Sequence, residues 1–492
     1  MNSPVKIEQW AGKWGLLLAA MGMAIGTGNI WRFPRVAAQN GGGSFLIAWI
    51  LCLFTWSIPL LIVELASGRK TRRGVIGAFS SLLGTGNSWM GGFVAFCTIA
   101  IMFYYSVVTG WCFYYLASSV FRSSSVLFVP SRSWNEFVNG HWPVICHIAA
   151  ALLCGTIVSF GVVRGIEKIN KILIPLLALL LVAAAARAVT LPGSAVGLEY
   201  LFFPRLDKLM EPATWLEGLS QSAWSTGAGW GLLLTYAVYA RKEQDIVSGA
   251  YITGFGNNAA SILASLVVIP TIFALAPLHE ALDVVREGNT GLSFIWIPRL
   301  FARLPGSGVF IVIFFLALSS AALSSLISMM EMSTRLVIDT GIGRKSSVVV
   351  CTAGLVIFGL PSALSIGFLD NQDWVWGLGL IISGILFSIM VIRIGAAKFA
   401  QKIVNMEQPS RGMKVGRFFV FAISVLIPIQ GAVLLVWWLY RSATEYDPDA
   451  WWHPFHTFSV GTCLMQWGLV LASLILVNKL VNIRKNRKAG PA

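Results

Sequence analysis

The chain has 492 residues, of which 56% are hydrophobic and only 12% charged, with a mean hydropathy of +0.75. That balance excludes a water-soluble enzyme or binding domain of this size and leaves a polytopic membrane protein. The net charge of +15 would suit a polyanionic partner, but its distribution, described below, speaks for membrane topology and against nucleic acid.

About twelve apolar segments approach the roughly 20 residues that a spanning helix needs. Their centres fall near 25, 56, 105, 153, 179, 228, 265, 320, 355, 385, 430 and 470. Segment 1 leads into GMAIGTGNIWRFPRVAAQNGGG, from Gly22 to Gly43, and cannot be one continuous helix. Gly22, Gly26 and Gly28 crowd its middle, Asn29 follows, and Arg32 and Pro34 come one to two turns later. Each unsatisfied backbone group costs several kcal/mol in hydrocarbon, so broken backbone there lines a cavity or binds something. Because segment 1 carries this motif, it is expected to remain in the mature chain and not to be cleaved as a signal.

Segment 2 places Glu64 in an otherwise apolar run, and segment 3 carries Phe103-Tyr104-Tyr105. Outer connections of some length are expected at 121–143 and 277–305, the second, with Pro277, Pro298 and Pro305, as a short helical cap. Segment 6 starts after Pro212 and meets a second interruption at Ser225-Thr226-Gly227-Ala228-Gly229-Trp230-Gly231. Three glycines in five positions at mid-membrane break it. Segments 1 and 6 open consecutive five-helix sets, about 8–190 and 212–402, with two further helices at about 415–485. Matching interruptions in two halves point to an inverted repeat with a binding site between them. Glycines for close helix packing would account for neither Asn29 nor the second break. Residues 441–456, with Trp451 and Trp452, read as an outer loop with interfacial aromatics. One transporter domain over 1–492 follows from the short connections.

Basic residues gather in alternate connections: Arg69 to Arg73, Arg164 to Lys171, Arg241 and Lys242, Arg344 and Lys345, Lys398 to Lys414, and Lys479 to Lys488. With twelve spans all lie on the side of the amino terminus, and the positive-inside rule makes that side cytoplasmic. The seven cysteines are dispersed within or beside apolar segments, without CxxC spacing, and read as small core residues. No structural metal cluster or organic cofactor motif is visible. A membrane enzyme using Ser324 or Ser325 would need a base, yet His147 stands alone on segment 4.

Several motifs together resemble the neurotransmitter:sodium symporter family, in its bacterial LeuT-like form. They are AIGTGNIWRFP (24–34) with NGGGSF (40–45), IPLLIVELASGR (58–69), FYY (103–105), the second break, RKEQDIVSG (241–249) and AALSSLISMME (321–331). The resemblance covers roughly residues 8 to 400 and implies an all-α membrane protein of about twelve helices, a LeuT-like 5+5 inverted repeat with helices 1 and 6 broken. It implies sodium-coupled symport by alternating access, in the plasma membrane, with both termini cytoplasmic. A non-cycling sodium-dependent amino-acid sensor of the same fold is the alternative.

The family pattern implies two sodium ions. The first would take Ala24 carbonyl, Asn29, Ser225 and an asparagine on helix 7. Counting from Asp245 gives Asn257 and counting back from Pro270 gives Gly256; Asn257 supplies the needed oxygen. The second would take the carbonyls of Gly22, Ile25 and Ala321 with the hydroxyls of Ser324 and Ser325. Amides around Thr27 and Gly28, with Tyr105, resemble a carboxylate clamp at a half-helix start. Gly26 stands where monoamine-transporting members carry an aspartate, which favours a substrate bringing its own carboxylate, a small amino acid. Substrate walls fall at Ala24, Ile101, Trp224, Ser225, Gly227, Trp230, Ser325 and Met329; the tryptophans should shrink the pocket and Gly227 enlarge it.

Arg32 and Asp373 match the outer gate, and Trp10, Tyr239 and Asp339 the inner one. The family's basic partner near the terminus is Ile7 here, with Lys6 adjacent. Glu64 matches a carboxylate that supports the second break. Chloride stays open: Gln221, Ser225 and Ser261 resemble its shell, but Trp49 replaces the tyrosine.

Overall fold

In the computed structural model, residues 8–121, 130–276, 291–302 and 306–489 are described, and among them every regular element is helical. The expected basic-partner position Ile7, with Lys6, lies outside the described residues, as do parts of both long outer connections. Among the described residues ten helices are long and apolar enough to cross a membrane: Gly43–Thr71, Thr85–Phe121, Trp142–Ser159, Val162–Val189, Ile246–Leu275, Ser307–Ile338, Arg344–Leu364, Ile366–Ile394, Arg417–Tyr446 and Val460–Ile483. We call these spans 2 to 5 and 7 to 12. The two missing members are the broken ones. Span 1 is Lys13–Ala24 followed, after a break, by Thr27–Ile30 and Arg32–Gln39. Span 6 is Pro212–Ser225 and, after its break, Leu232–Val238.

Spans 3 and 8 pack along each other and wall the centre together with spans 1 and 6, while spans 11 and 12 lie at the periphery. Basic connections and the amino terminus meet on one face, here termed the terminal face. Arg72 donates to the carbonyls of Val238 and Ala240, and Lys70 pairs with Glu407 at 2.7 Å. Arg241 donates to the carbonyl of Trp10. On the opposite face the expected cap is helical over Gly291–Phe301, where Phe294 is fully buried and stacks on Trp134 with centroids 5.4 Å apart. The 441–456 loop begins as a continuation of span 11 to Tyr446 and leaves Trp451 and Trp452 exposed.

The breaks follow from local chemistry. Span 1 stops because Ile25 turns extended (ψ 91°) and Gly26 continues extended, at φ −107° and ψ −172°. The helix restarts when the Asn29 side chain accepts from the Gly26 N–H at 2.9 Å, a reciprocal cap at the new N-terminus. In span 6, Gly227, Gly229 and Gly231 all hold positive φ, at 67°, 88° and 78°. That region carries a Cβ penalty for other residues. At Gly229 an added Cβ would also lie 2.9 Å from Gly384 Cα of span 10. Gly229→Ala is therefore expected to destabilise the folded protein by about 2 to 4 kcal/mol, read as a lowered melting temperature in detergent, whereas Gly308→Ala, with no heavy atom within 4 Å of the added carbon, should leave it unchanged.

Candidate functional site

Both breaks open onto one cavity of about 340 Å³, continuous from mid-bundle toward the face opposite the termini. Every expected substrate-wall residue lines it: Ala24, Gly26, Thr27, Gly28, Ile101, Tyr105, Trp224, Ser225, Gly227, Trp230, Ser325 and Met329. Sequence reasoning missed its outer wall. Tyr104, Val108 and Trp111 continue the face of span 3 that carries Tyr105, at helical spacing, while Leu369, Asp370 and Phe458 arrive from distant segments. The helical period could have yielded the first three; no local signal marks the others.

The restarted part of span 1 presents the Thr27 amide, which donates to Tyr105 Oη at 3.2 Å, with Thr27 Oγ1 3.3 Å from the same oxygen. A helix start whose amide meets a phenol is suited to an anionic oxygen that could take over that donor. The indole N–H groups of Trp224 and Trp230 are buried without a partner, as is Gln221 Oε1; all three residues line the cavity. Trp224 fits because Gly377 of span 10 leaves it room: a Cβ there would sit 2.1 Å from the indole. Gly227 does not enlarge the cavity as expected, since the sulfur of Met23 lies 2.5 Å from where its Cβ would be.

Beside this cavity Asn29, Asn257, Ser225 and Ala24 come together. The Gly26 N–H fixes Asn29 Oδ1, so Asn29 Nδ2 faces Asn257 and donates to its Oδ1 at 2.6 Å. That same atom of Asn257 lies 3.1 Å from the Ala24 carbonyl oxygen and 2.9 Å from that of Ser225. Turning the amide over would satisfy the carbonyls but set its nitrogen against that of Asn29. Neither orientation pairs every group, and a cluster of three acceptors reached by one donor, Asn29 Nδ2, is relieved by a cation. Only neutral oxygens surround the spot, which suits a monovalent ion better than a divalent one.

Of the second expected ion set, the structure brings Ser325 of span 8 to Gly22 of span 1. Ser325 Oγ is 3.4 Å from the carbonyl oxygens of both Gly22 and Met23, linking span 8 to the first half of span 1. Ser324 Oγ donates to Ala321 O at 3.0 Å, so its hydroxyl is engaged with its own helix. Ile25, at the unwound end of that half-helix, has φ −83° and ψ 91°. For chloride, Ser261 Oγ already donates to Asn257 O at 3.1 Å and accepts from Asn29, while Trp49 packs on Phe33 with centroids 4.4 Å apart.

Arg32 and Asp373 both line the outer cavity without forming an ion pair. Arg32 lies over the Trp224 ring, 4.2 Å from its centroid, and reaches Ser220 Oγ at 3.5 Å; Asp373 accepts from Tyr104 Oη at 2.8 Å. On the terminal face Trp10 is fully buried and its indole donates to Tyr236 O at 3.0 Å. Tyr239 Oη donates to Glu331 at 2.6 Å, and Asp339 pairs with Arg335 at 2.6 Å. His147 bonds to Ser106 Oγ at 2.9 Å and is not beside Ser324 or Ser325 as a base would be.

Glu64 is buried, accepting from the Gly229 N–H at 2.7 Å and the Leu234 N–H at 3.1 Å. It thus answers backbone donors within the span 6 break and in the first turn after it.

These features define a multi-pass membrane transporter with its binding cavity at two opposed helix breaks. The chain belongs to the sodium:neurotransmitter symporter family, whose model matches residues 7–139 and 120–487. It is 32% identical over 443 residues to an uncharacterised sodium-dependent transporter of Methanocaldococcus jannaschii, covering 86% of this chain and 88% of that one. It is 31% identical over 458 residues to another from Bacillus subtilis, covering 88% and 98%. A human sodium-dependent neutral amino acid transporter is 26% identical over 537 residues, covering 86% and 72%. Among solved structures, that of MhsT with L-phenylalanine superimposes with a TM-score of 0.77 at 28% identity, covering 87% of this chain and 99% of that one. The protein is a sodium-dependent symporter of this family with a LeuT/MhsT-like fold.

Glu64→Ala would strand two buried N–H groups, each at about 1–3 kcal/mol. We expect a melting temperature in detergent well below that of Glu64→Gln, which keeps one acceptor; equal values for the two variants would refute the support role.

Proposed function

We propose that the protein imports a small amino acid across the plasma membrane together with two sodium ions, its termini lying in the cytoplasm. The observation that carries this reading is the adjacency of the Thr27–Tyr105 clamp to the oxygen cluster of Ala24, Ser225 and Asn257. A carboxylate held at the clamp would lie beside the first sodium, so each strengthens the other's binding. Gly26 offers no charge to an amine, and the human relative named above transports neutral amino acids. The single transporter domain falls into the two five-helix repeats and the two accessory helices described from sequence.

In this reading the structure is the state open to the outside. The cavity passes between Arg32 and Asp373, while Trp10 seals the terminal face. Sodium between Gly22, Ile25, Ala321, Ser324 and Ser325 ties span 1 to span 8 and favours that state. Substrate and the other sodium, with Asn29 and Asn257 among its ligands, bridge spans 1 and 6. Arg32 then leaves Trp224, Asp373 leaves Tyr104, and the two close over the substrate. Departure of the second sodium inward frees span 1 to swing, with Trp10, Tyr239 and Asp339 at the inner gate. Two charges moving with a zwitterion gain roughly 4.6 kcal/mol per 100 mV, enough for a roughly thousandfold gradient.

The expected outcome is a rise in melting temperature in sodium but not potassium, enlarged by one or a few amino acids. A ligand at 100 times its Kd adds about 2.7 kcal/mol. Asn257→Ala should abolish the joint effect of amino acid and sodium, while Ser325→Ala weakens the response to sodium alone. No sodium-specific shift with any amino acid would sink the substrate assignment. Sodium-dependent binding without counterflow in liposomes would favour a sensor instead.

A further inference from the structure

Residues 8–12 run as a non-helical strand before span 1; the Trp10 N–H donates to Tyr239 O at 3.2 Å, and side chains from other elements take further backbone groups of the strand. Arg241, just beyond the end of span 6, grips two consecutive carbonyls: Nε donates to Trp10 O at 2.8 Å and Nη2 to Ala11 O at 2.6 Å. From span 5, Glu167 accepts from the Ala11 N–H at 2.9 Å. The Glu8 carboxylate accepts from the Val162 and Val163 N–H groups, at 3.0 and 3.1 Å, where span 5 begins and these donors have no partner within the helix. Gln244 Oε1 accepts from the Arg241 N–H at 2.9 Å and steadies this corner.

We propose that Arg241, Glu167 and Glu8 form a polar clasp on strand 8–12 that keeps Trp10 seated and the cavity shut toward the terminal face. Trp10 is the plug. It is fully buried, edge-on to Tyr236 and Tyr239 with centroids 5.4 and 6.3 Å away. A path from the cavity to the terminal face between spans 1 and 6 requires Trp10 to leave, and the strand cannot move without breaking the clasp. The acidic residue expected at this gate does not hold the strand: the Asp339 carboxylate pairs with Arg335 at 2.6 Å and accepts from the Gly74 N–H at 2.6 Å. Among the described residues the hold on strand 8–12 therefore comes from a guanidinium just beyond span 6 acting on backbone. Arg241 and Glu8 are positioning residues; neither lines the cavity.

The proposal's consequence for turnover rests on the transport reading, but its structural core can be tested without it. Hydrogen exchange of the full purified chain in potassium, over residues 8–24, compares the wild type with R241Q, R241K and E8Q. Loss of the Arg241 bonds is expected to speed exchange there about fivefold, leaving spans 3 and 8 unchanged, with R241K recovering part of the protection. E8Q, a milder change at the strand's start, should act in the same direction and serves if R241Q does not fold. Exchange over 8–24 equal to wild type in the folded variants overturns the clasp. In potassium-loaded liposomes supplied with external sodium, R241Q should also raise the sodium concentration for half-maximal uptake. If the wild type shows no uptake, the transport reading fails while the exchange result still decides the clasp.

Discussion

A helix interrupted inside an apolar bundle leaves backbone donors and acceptors that water cannot reach, and every such group must find a partner from another element. The arrangement of this protein follows from that requirement. Glu64 turns its two oxygens to Gly229 and Leu234, the Asn29 side chain takes the Gly26 N–H, and Tyr105 takes the Thr27 N–H. A buried carboxylate costs several kcal/mol unless it is so engaged. Once spans 2 and 3 supply these partners, both breaks are fixed at one level and the cavity between them is defined.

The two ends of the cavity are held by unlike forces. On the terminal face Trp10 combines a large buried ring with hydrogen bonds to span 6, so opening must expose apolar surface and break polar contacts together. At the other end Arg32 and Asp373 are separate but not bare, because Trp224 and Ser220 hold one and Tyr104 the other. In the proposed cycle, closing there exchanges partners for partners. Such an exchange has a small net free energy, which lets modest binding energies shift the balance between states.

The oxygens proposed to hold sodium show the same economy. At the Asn29–Asn257 contact the chain of amides is fixed from one end by the Gly26 N–H, and the mismatch is passed along until three acceptors face one another. This frustration is confined to a few atoms next to the clamp.

Much of the fold was legible in the sequence because hydrocarbon admits few solutions: apolar length gave the spans, alternate basic connections gave a common face, and glycine clusters gave both breaks. The cavity walls at Ile101, Tyr105, Trp224 and Met329 were legible through the resemblance of short motifs, whose spacing fixes which side of a helix they occupy. Leu369, Asp370 and Phe458 were not, since nothing local tells a residue far along the chain that it will stand above the break. Nor did the sequence reveal that Met23 fills the space beside Gly227, that Asp339 is taken by Arg335, or that Arg241 reaches back to Trp10. By itself the sequence determined the number of spans, where two of them fail, and which oxygens are available near the failures, because these depend on local backbone chemistry and on what lipid tolerates. Which partner each charge takes, and which end of the cavity stands open, only the tertiary structure decided, because those depend on distances between helices that no single segment encodes.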